Sequence, residues 1–350
     1  MGTDDCKRFA PALIRWQKKA GRHDLPWQQP GRRRDPYRVW LAEIMLQQTQ
    51  VAMVIPYYRR FLARFPDLAA LAAAPAEAVM AQWSGLGYYA RARNLHRAAQ
   101  EIAARHDAAF PRHLADIAAL PGIGRSTAAA IAVFAFGTRA AILDGNVKRV
   151  LARVFGIPGF PGDKAVETHL WALAETLLPE RGIATYTQGL MDLGATLCTR
   201  AAPRCDACPL ADMCVARRQG RTAELPTARA PRTVPERTAT LLVLRRRGRV
   251  LLEQRPPQGI WGGLLSLPEM PAGEEDVHGH VRRRFGCTLA AVTTLPPLRH
   301  AFTHFRLEIA PLLCEVGEMA PAAGRIWLGV KRIESAPLPA PIRRILQTLV

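Results

Sequence analysis

Lysine and cysteine are both scarce in this chain. Six of its 48 basic residues are lysine, and seven of its 350 residues are cysteine. Aromatic residues make up 7%. No apolar run reaches the ~18–20 residues of a membrane span. The opening stretch, MGTDDCKRFAPALIRW, is amphipathic and mixed in charge. It lacks the basic-then-apolar order of a secretory signal. These absences point to the cytoplasm, and to the nucleoid in a bacterium. Structural disulfides are rare there, which weakens a disulfide explanation of the cysteines. Acidic residues are outnumbered too, 29 against 48, so the net charge is +19. A surplus of that size, nearly all of it arginine, points to a polyanionic partner, most often nucleic acid. The bland alternative is a generally basic proteome.

What is present changes character along the chain. Its length exceeds the size at which one core stops growing, so two domains are expected. Residues 1–215 read as all-α. Asp35-Pro36 starts a helix as a cap followed by a first-turn proline, and Tyr37, Trp40, Leu41, Ile44, Met45 and Gln48 continue at helical spacing. Residues 216–237, ARRQGRTAELPTARAPRTVPER, read as a basic, proline-rich linker. Residues 238–350 read as α+β: LLVLR and VLLEQR flank RRGR as a hairpin, AFTHFRLEIAPLLCEV alternates like a strand, and APIRRILQTLV closes as a helix.

Four stretches carry chemistry. In LPGIGRSTAAAIAVFAFG, Pro121-Gly122-Ile123-Gly124 forms a tight turn that opens a helix. Such a helix start offers free N–H groups, and glycine lets a phosphate approach. In ILDGNVKRVLARVFG, Asp144 is placed as an N-cap, and a capping carboxylate keeps a second oxygen for a ligand. In VWLAEIMLQQTQV, Glu43 borders an apolar stripe; partial desolvation favours its protonated form and suits a general acid. The bland alternative is a solvated surface glutamate. Beside it, Gln47, Gln48 and Thr49 offer amides and a hydroxyl to base edges or to a gap in a duplex. The fourth stretch is Cys198-x6-Cys205-x2-Cys208-x5-Cys214, with Arg200, Arg204, Arg217 and Arg218 around it. Four thiolates point to a metal, with zinc or an iron–sulfur cluster as candidates.

LPGIG, DGNVKR and the C-x6-C-x2-C-x5-C run together resemble the helix-hairpin-helix DNA glycosylase superfamily with its four-iron–four-sulfur cluster. LPW, DPYRVWLAEIMLQQTQV, GLGYYARARNLH and MDLGATLC resemble the MutY-type adenine DNA glycosylases over about residues 8–215. GIWGGLLSLPE and FTHF resemble, more loosely, that family's Nudix-like domain for detecting 8-oxoguanine. The resemblance implies a multidomain fold: an all-α helix-hairpin-helix glycosylase core with an iron–sulfur cluster loop, then a C-terminal α+β Nudix-like domain. It implies a monomeric, monofunctional enzyme of base excision repair acting on double-stranded DNA. The substrate would be adenine opposite 8-oxoguanine or guanine, the reaction hydrolysis of its N-glycosidic bond, and the cofactor one 4Fe-4S cluster on Cys198, Cys205, Cys208 and Cys214.

Residue by residue, the resemblance implies that Glu43 protonates adenine, Asp144 stabilises the positive sugar and Asn146 orients Asp144. Trp27 and Gln188 would line the adenine pocket. Gln48, Leu86 and Tyr88, with Thr49 alongside, would form the wedge in the duplex, and Phe302, Thr303 and His304 the tip that reads the lesion. Gly122, Gly124, Arg125, Ser126 and Lys148 would meet the DNA backbone. Ser126 stands where strand-cutting relatives carry lysine, which favours a one-step glycosylase. The stretch AGEEDVHGHVRRRFG lacks the R-E-x-x-E-E pattern for magnesium, which disfavours a nucleotide pyrophosphatase. One departure stands out: Gln28, not a basic residue, follows Trp27, and residues 28–34 form a longer arginine-bearing loop. The rival readings are a thymine-mismatch or oxidised-pyrimidine glycosylase and a non-catalytic iron–sulfur DNA-binding regulator.

Overall fold

A computed structural model describes residues 3–28, 34–230, 233–256, 258–302, 304–319 and 326–349. Its contacts divide the chain into two compact units. One comprises Met1–Ala72 and Arg97–Pro231, the other Ala73–His96 and Arg232–Val350. This is not the simple division into residues 1–215 and 238–350 expected from the sequence. A piece of the helical half, Ala73–His96, groups with the C-terminal residues.

The first unit is helical. The helix Pro36–Leu46 starts as its sequence suggests: Asp35 Oδ1 accepts from the Tyr37 N–H at 2.9 Å, and Pro36 fills the first turn. Seven of its eleven side chains are buried, so it runs through the core and packs on Arg125–Phe136. The helices Leu114–Ala119 and Arg125–Phe136 flank the glycine turn. Gly122 sits at φ 77°, where a side chain would be strained, and Gly124 caps the second helix. Thr3–Ala20 packs on Ile183–Thr196, which in turn packs on Gly145–Val154. The last two helices approach so closely at Gly194 that a Cβ there would fall 2.5 Å from the Cβ of Asn146.

The expected linker is not uniformly free. Val215–Arg218 is helical, Leu225 is buried, and its carbonyl accepts from Arg153 Nε at 2.7 Å. Gly159 N donates to Thr227 Oγ1 at 3.1 Å. Residues 216–227 are thus strapped to the helical unit, because a buried guanidinium needs carbonyl acceptors and this segment supplies one.

The second unit contains seven described strands: β1 (Glu236–Arg246), β2 (Arg249–Gln254), β3 (Leu265–Ser266), β4 (Cys287–Thr294), β5 (Leu298–Ala301), β6 (Arg306–Met319) and β7 (Ile326–Gly329). They form a mixed sheet of order β3-β2-β1-β6-β4, in which β5 also pairs with β6 and β7 with β2. The RRGR hairpin is present: Arg247 at φ 47° and Gly248 at φ 70° make the two-residue turn between β1 and β2. β1 also pairs in parallel with β6. Strands on both sides bury its LLVL run. The helix Val277–Phe285 covers the sheet through Val281 and Phe285, against Leu242, Leu244, Leu251 and Cys314. It carries three arginines and no carboxylate, in keeping with the missing magnesium pattern. The closing helix Ala340–Gln347 buries Ile342, Ile345 and Leu346.

Candidate active site

Glu43 and Asp144 are brought into one electrostatic site in the helical unit. Glu43 is only partly exposed in the middle of Pro36–Leu46, among the buried Ala42 and Ile44. Burial pushes its carboxyl up to about 8, and the Asp144 charge adds to the rise. Arg34 opposes both effects. Its guanidinium lies 4.8 Å from the centre of the Phe134 ring, so the longer loop after Trp27 returns an arginine to the neighbourhood of Glu43. Gln28 is occupied locally, its Oε1 accepting from the Leu25 N–H at 3.2 Å. Residues 29–33 of that loop lie outside the described residues.

Asp144 is surrounded differently. It caps Gly145–Val154, and its Oδ1 accepts from the Val147 N–H at 2.8 Å. Burial raises its pKa, while the N–H groups of Val147 and Asn146, Arg149 and the Asn146 side chain all oppose the rise. Asn146 Oδ1 accepts from Arg149 Nη2 at 2.8 Å, which leaves its amide nitrogen to donate to Asp144. Arg149 is anchored further back. Its Nε donates to the Cys198 carbonyl at 2.8 Å and its Nη2 to the Gly194 carbonyl at 2.7 Å. A continuous path of polar contacts therefore runs from the first cysteine of the cluster motif to Asp144. Ser126 supports the same region by accepting from the Leu143 N–H at 2.9 Å.

Trp27 is buried edge-on against Tyr58, with ring centres 5.4 Å apart. Gln188 is buried, and its Nε2 donates to Asp192 Oδ1 at 2.9 Å. Asp192 is wholly buried and also accepts from Arg22 Nε at 2.7 Å and from the Arg22 N–H at 2.9 Å. Gln188 is thereby held by its oxygen-rich neighbour. Gln47 Nε2 reaches Thr127 Oγ1 at 3.4 Å, and the Thr49 hydroxyl donates to the Gln47 carbonyl at 3.3 Å. Gln48 is exposed at φ 55°. Two expected backbone contacts are engaged within the protein: Lys148 pairs with Glu167 at 2.6 Å, and Arg125 pairs with Glu175 while stacking 3.9 Å from the Trp171 ring centre.

The four cysteines of the run line one pocket with Val150, Leu193, Leu197 and Arg153. All four are free thiols. Burial pushes the Cys208 thiol up to about 12, and the other three sulfurs add to the rise. Such a set cannot ionise together unless positive charge lies among the sulfurs, so its chemistry fits a metal group. Among the described residues, no three His, Cys, Asp or Glu side chains converge to hold a single ion. Arg153, 2% exposed, supports the loop from below, donating to the carbonyls of Thr199 at 2.6 Å and Arg200 at 2.9 Å and to Cys198 Sγ at 3.5 Å.

In the second unit, the turn 85–88 holds Leu86 buried and Tyr88 49% exposed, with Gly85, Gly87 and Tyr88 all at positive φ. Arg91 locks it, donating to the Gly87 carbonyl at 3.2 Å beneath Tyr88. Phe302 stacks on Phe305 at 4.4 Å and lies 5.8 Å from Trp261, while His304 is exposed. Thr303 lies outside the described residues.

Arg149, Arg153, Asp192 and Arg22 were not singled out from the sequence. Helical spacing offers a signal for two of them. Arg149 is three residues after Asn146, and Asp192 is four after Gln188, so each shares a helix face with a named residue. Arg22 is 170 positions from its partner and carries no local signal.

The HhH-GPD superfamily of base excision DNA repair proteins matches residues 41–176, and the NUDIX domain matches residues 239–348. The chain is 34% identical over 343 residues to the adenine DNA glycosylase of Buchnera aphidicola subsp. Acyrthosiphon pisum, covering 97% of each protein. It is 32% identical over 402 residues to the adenine DNA glycosylase of Rattus norvegicus, covering 97% of this chain and 78% of that one. Among solved structures, a thermostable thymine-DNA glycosylase superposes with a TM-score of 0.56 at 29% identity, over 62% of this chain and 98% of its own. A non-covalent endonuclease III–DNA complex superposes at 0.53 and 21% identity, over 63% of this chain and 98% of its own, which speaks to the fold alone. Among the described residues, no helix is long and apolar enough to cross a membrane.

Proposed function

The chain belongs to the adenine DNA glycosylases, monofunctional N-glycosylases that remove adenine from mispairs in base excision repair; from that premise we propose how its residues divide the work and which mispair it favours. Glu43 donates the proton that makes adenine a leaving group. Asp144 stays ionised and stabilises the positive charge that grows on the sugar as the glycosidic bond breaks. This is the two-carboxylate logic of glycoside cleavage applied to a nucleoside. The base must leave the stack first, because its glycosidic bond is inaccessible inside a duplex. Trp27 and Gln188 receive it, with Asp192 and Arg22 holding Gln188 in place. Asn146 and Arg149 orient Asp144.

The observation that carries this division is the difference between the two carboxyl groups. One is raised to about 8 by burial and by its neighbour's charge. Burial raises the other too, but backbone and side-chain donors and Arg149 oppose that rise and favour its anion. An acid and an anion side by side are what the reaction requires.

Cys198, Cys205, Cys208 and Cys214 hold a 4Fe-4S cluster. Their thiols line one pocket and raise one another's pKa, which suits a metal group that all four ligate. Bound there, it would tie together the loop that Arg153 and Arg149 grip. Gln48, Leu86 and Tyr88 wedge the duplex, and Phe302, Thr303 and His304 read 8-oxoguanine opposite the adenine, as a monomer on double-stranded DNA. Gly122 and Gly124 meet the backbone; Gly124 has open space where a side chain would lie. Single-turnover cleavage of duplexes carrying adenine opposite 8-oxoguanine, A·G, T·G and thymine glycol tests the assignment. Fastest cleavage is expected on the first, and none on the last two.

A further inference from the structure

The turn that carries Leu86 and Tyr88 is tied to the C-terminal residues on both of its flanks. On the N-terminal side, the buried Ser84 hydroxyl donates to the Leu338 carbonyl at 2.8 Å and accepts from Arg343 Nη2 at 2.9 Å. Arg343, on the closing helix, also donates to the carbonyls of Ile333 and, at 2.8 Å, Ala336. Its guanidinium thus clamps three separate points of chain. On the C-terminal side, Arg93 Nη1 donates to the Gly262 carbonyl at 2.6 Å. Gly262 follows Trp261, whose ring faces Phe302 at 5.8 Å and His300 at 6.1 Å. Within the turn itself, Trp83 Nε1 donates to the Gly87 carbonyl at 3.1 Å, and Arg91 donates to the same carbonyl.

We infer that Ser84, Arg93 and Arg343 are positioning residues that splice the wedge turn onto the lesion-reading domain, so that the tip at Phe302 and the wedge at Tyr88 move as one body. The inference rests on Leu86 and Tyr88 being the wedge. Its content goes further: the C-terminal domain reads the opposite base and also holds the wedge in register with its own tip. The path from Tyr88 to Phe302 runs through hydrogen bonds and ring contacts within a single unit. Charged, part-buried hydrogen bonds such as those of Arg93 and Arg343 have a fixed geometry that an apolar contact lacks.

Two measurements on the full-length protein test it. In the first, amide hydrogen exchange is followed in free wild type, Ser84→Ala and Arg93→Ala. Coupling predicts that loss of either tie speeds exchange in residues 85–88 and also in 300–305, where nothing was altered. Faster exchange confined to the mutated flank overturns the splice. In the second, single-turnover excision is compared on adenine opposite 8-oxoguanine and opposite guanine. Loss of the Arg93 tie should lower the ratio of the two rates about tenfold to a hundredfold, the scale of one charge-assisted hydrogen bond, with the A·G rate nearly unchanged. Arg93→Lys should restore part of the ratio. A merely structural defect lowers both rates together, and that result also overturns the proposal. Coupled exchange with an unchanged ratio would instead overturn the wedge role of Leu86 and Tyr88, and failure of wild type to release adenine from either duplex would overturn the assigned chemistry.

Discussion

Two helices each present one carboxylate to the same site, and they treat it in opposite ways. Glu43 sits mid-helix in Pro36–Leu46, where the backbone N–H groups are consumed by the helix itself. Asp144 sits at the open start of Gly145–Val154, where unpaired N–H groups point at it. Burial raises both pKa values, but only Asp144 has donors that push back. The same residue chemistry thus meets two different environments, set by position along a helix. Arg149 reinforces the asymmetry by gripping Asn146 on the Asp144 side, while Arg34 weakens it slightly from the Glu43 side.

Removing either half of the pair should have the largest effect. Glu43→Gln keeps the shape and cannot donate, so single-turnover excision should fall about 10²–10⁴-fold with DNA binding retained. Excision within about threefold of wild type would return Glu43 to an ordinary surface role. Next comes the support behind the anion. Arg149→Ala strands the Asn146 oxygen and the Cys198 carbonyl; loss of a charged hydrogen bond of ~1.5–3 kcal/mol should slow excision about tenfold to a hundredfold. The cluster's visible absorbance should persist in this variant, whereas Cys198→Ala should abolish it. Gly194→Ala probes the packing beneath the pair. The new methyl would meet the Asn146 Cβ at 2.5 Å, and overpacking of ~1–3 kcal/mol should appear as a lower melting temperature. The smallest effect is expected from the residue assigned to the lesion: Thr303→Ala should cost one neutral hydrogen bond, ~0.5–1.5 kcal/mol, seen as a weaker preference for 8-oxoguanine over guanine with unchanged A·G chemistry.

Much of this was legible in the sequence because it is encoded locally. Asp35-Pro36 announces a helix start, and Asp144 announces another. Gly122 and Gly124 mark the hairpin, and RRGR marks the β1–β2 turn. Glu43 could be placed beside an apolar stripe, and the four cysteines are separated by spacings that bring them to one loop. The unit boundary was not legible, because Ala73–His96 is an ordinary amphipathic helical stretch whose partners, Gly262 and Leu338, lie about 170 and 250 positions away. For the same reason Asp192 could be linked to Gln188 but not to Arg22. Residues 216–227 read as linker by composition, yet the buried Arg153 draws their carbonyls onto the helical unit. Lys148 and Arg125 read as free cations, and nothing in their local pattern foretold Glu167 and Glu175.

If Glu43 holds its proton at neutral pH because it is largely removed from water beside a charged Asp144, its titration will show it. Carboxyl-selective ¹³C NMR of the protein labelled at glutamate follows this without any turnover. Only protonated Glu43 can act as the acid, so its proton should be lost with a midpoint near 8, and excision should fall as pH rises through that value. In Asp144→Asn the midpoint should move down, because the neighbouring charge is gone, while staying above the ordinary glutamate value of about 4.3 because burial remains. A wild-type midpoint at about 4.3, unmoved by Asp144→Asn, would mean that Glu43 is an ordinary solvated carboxylate and not the acid.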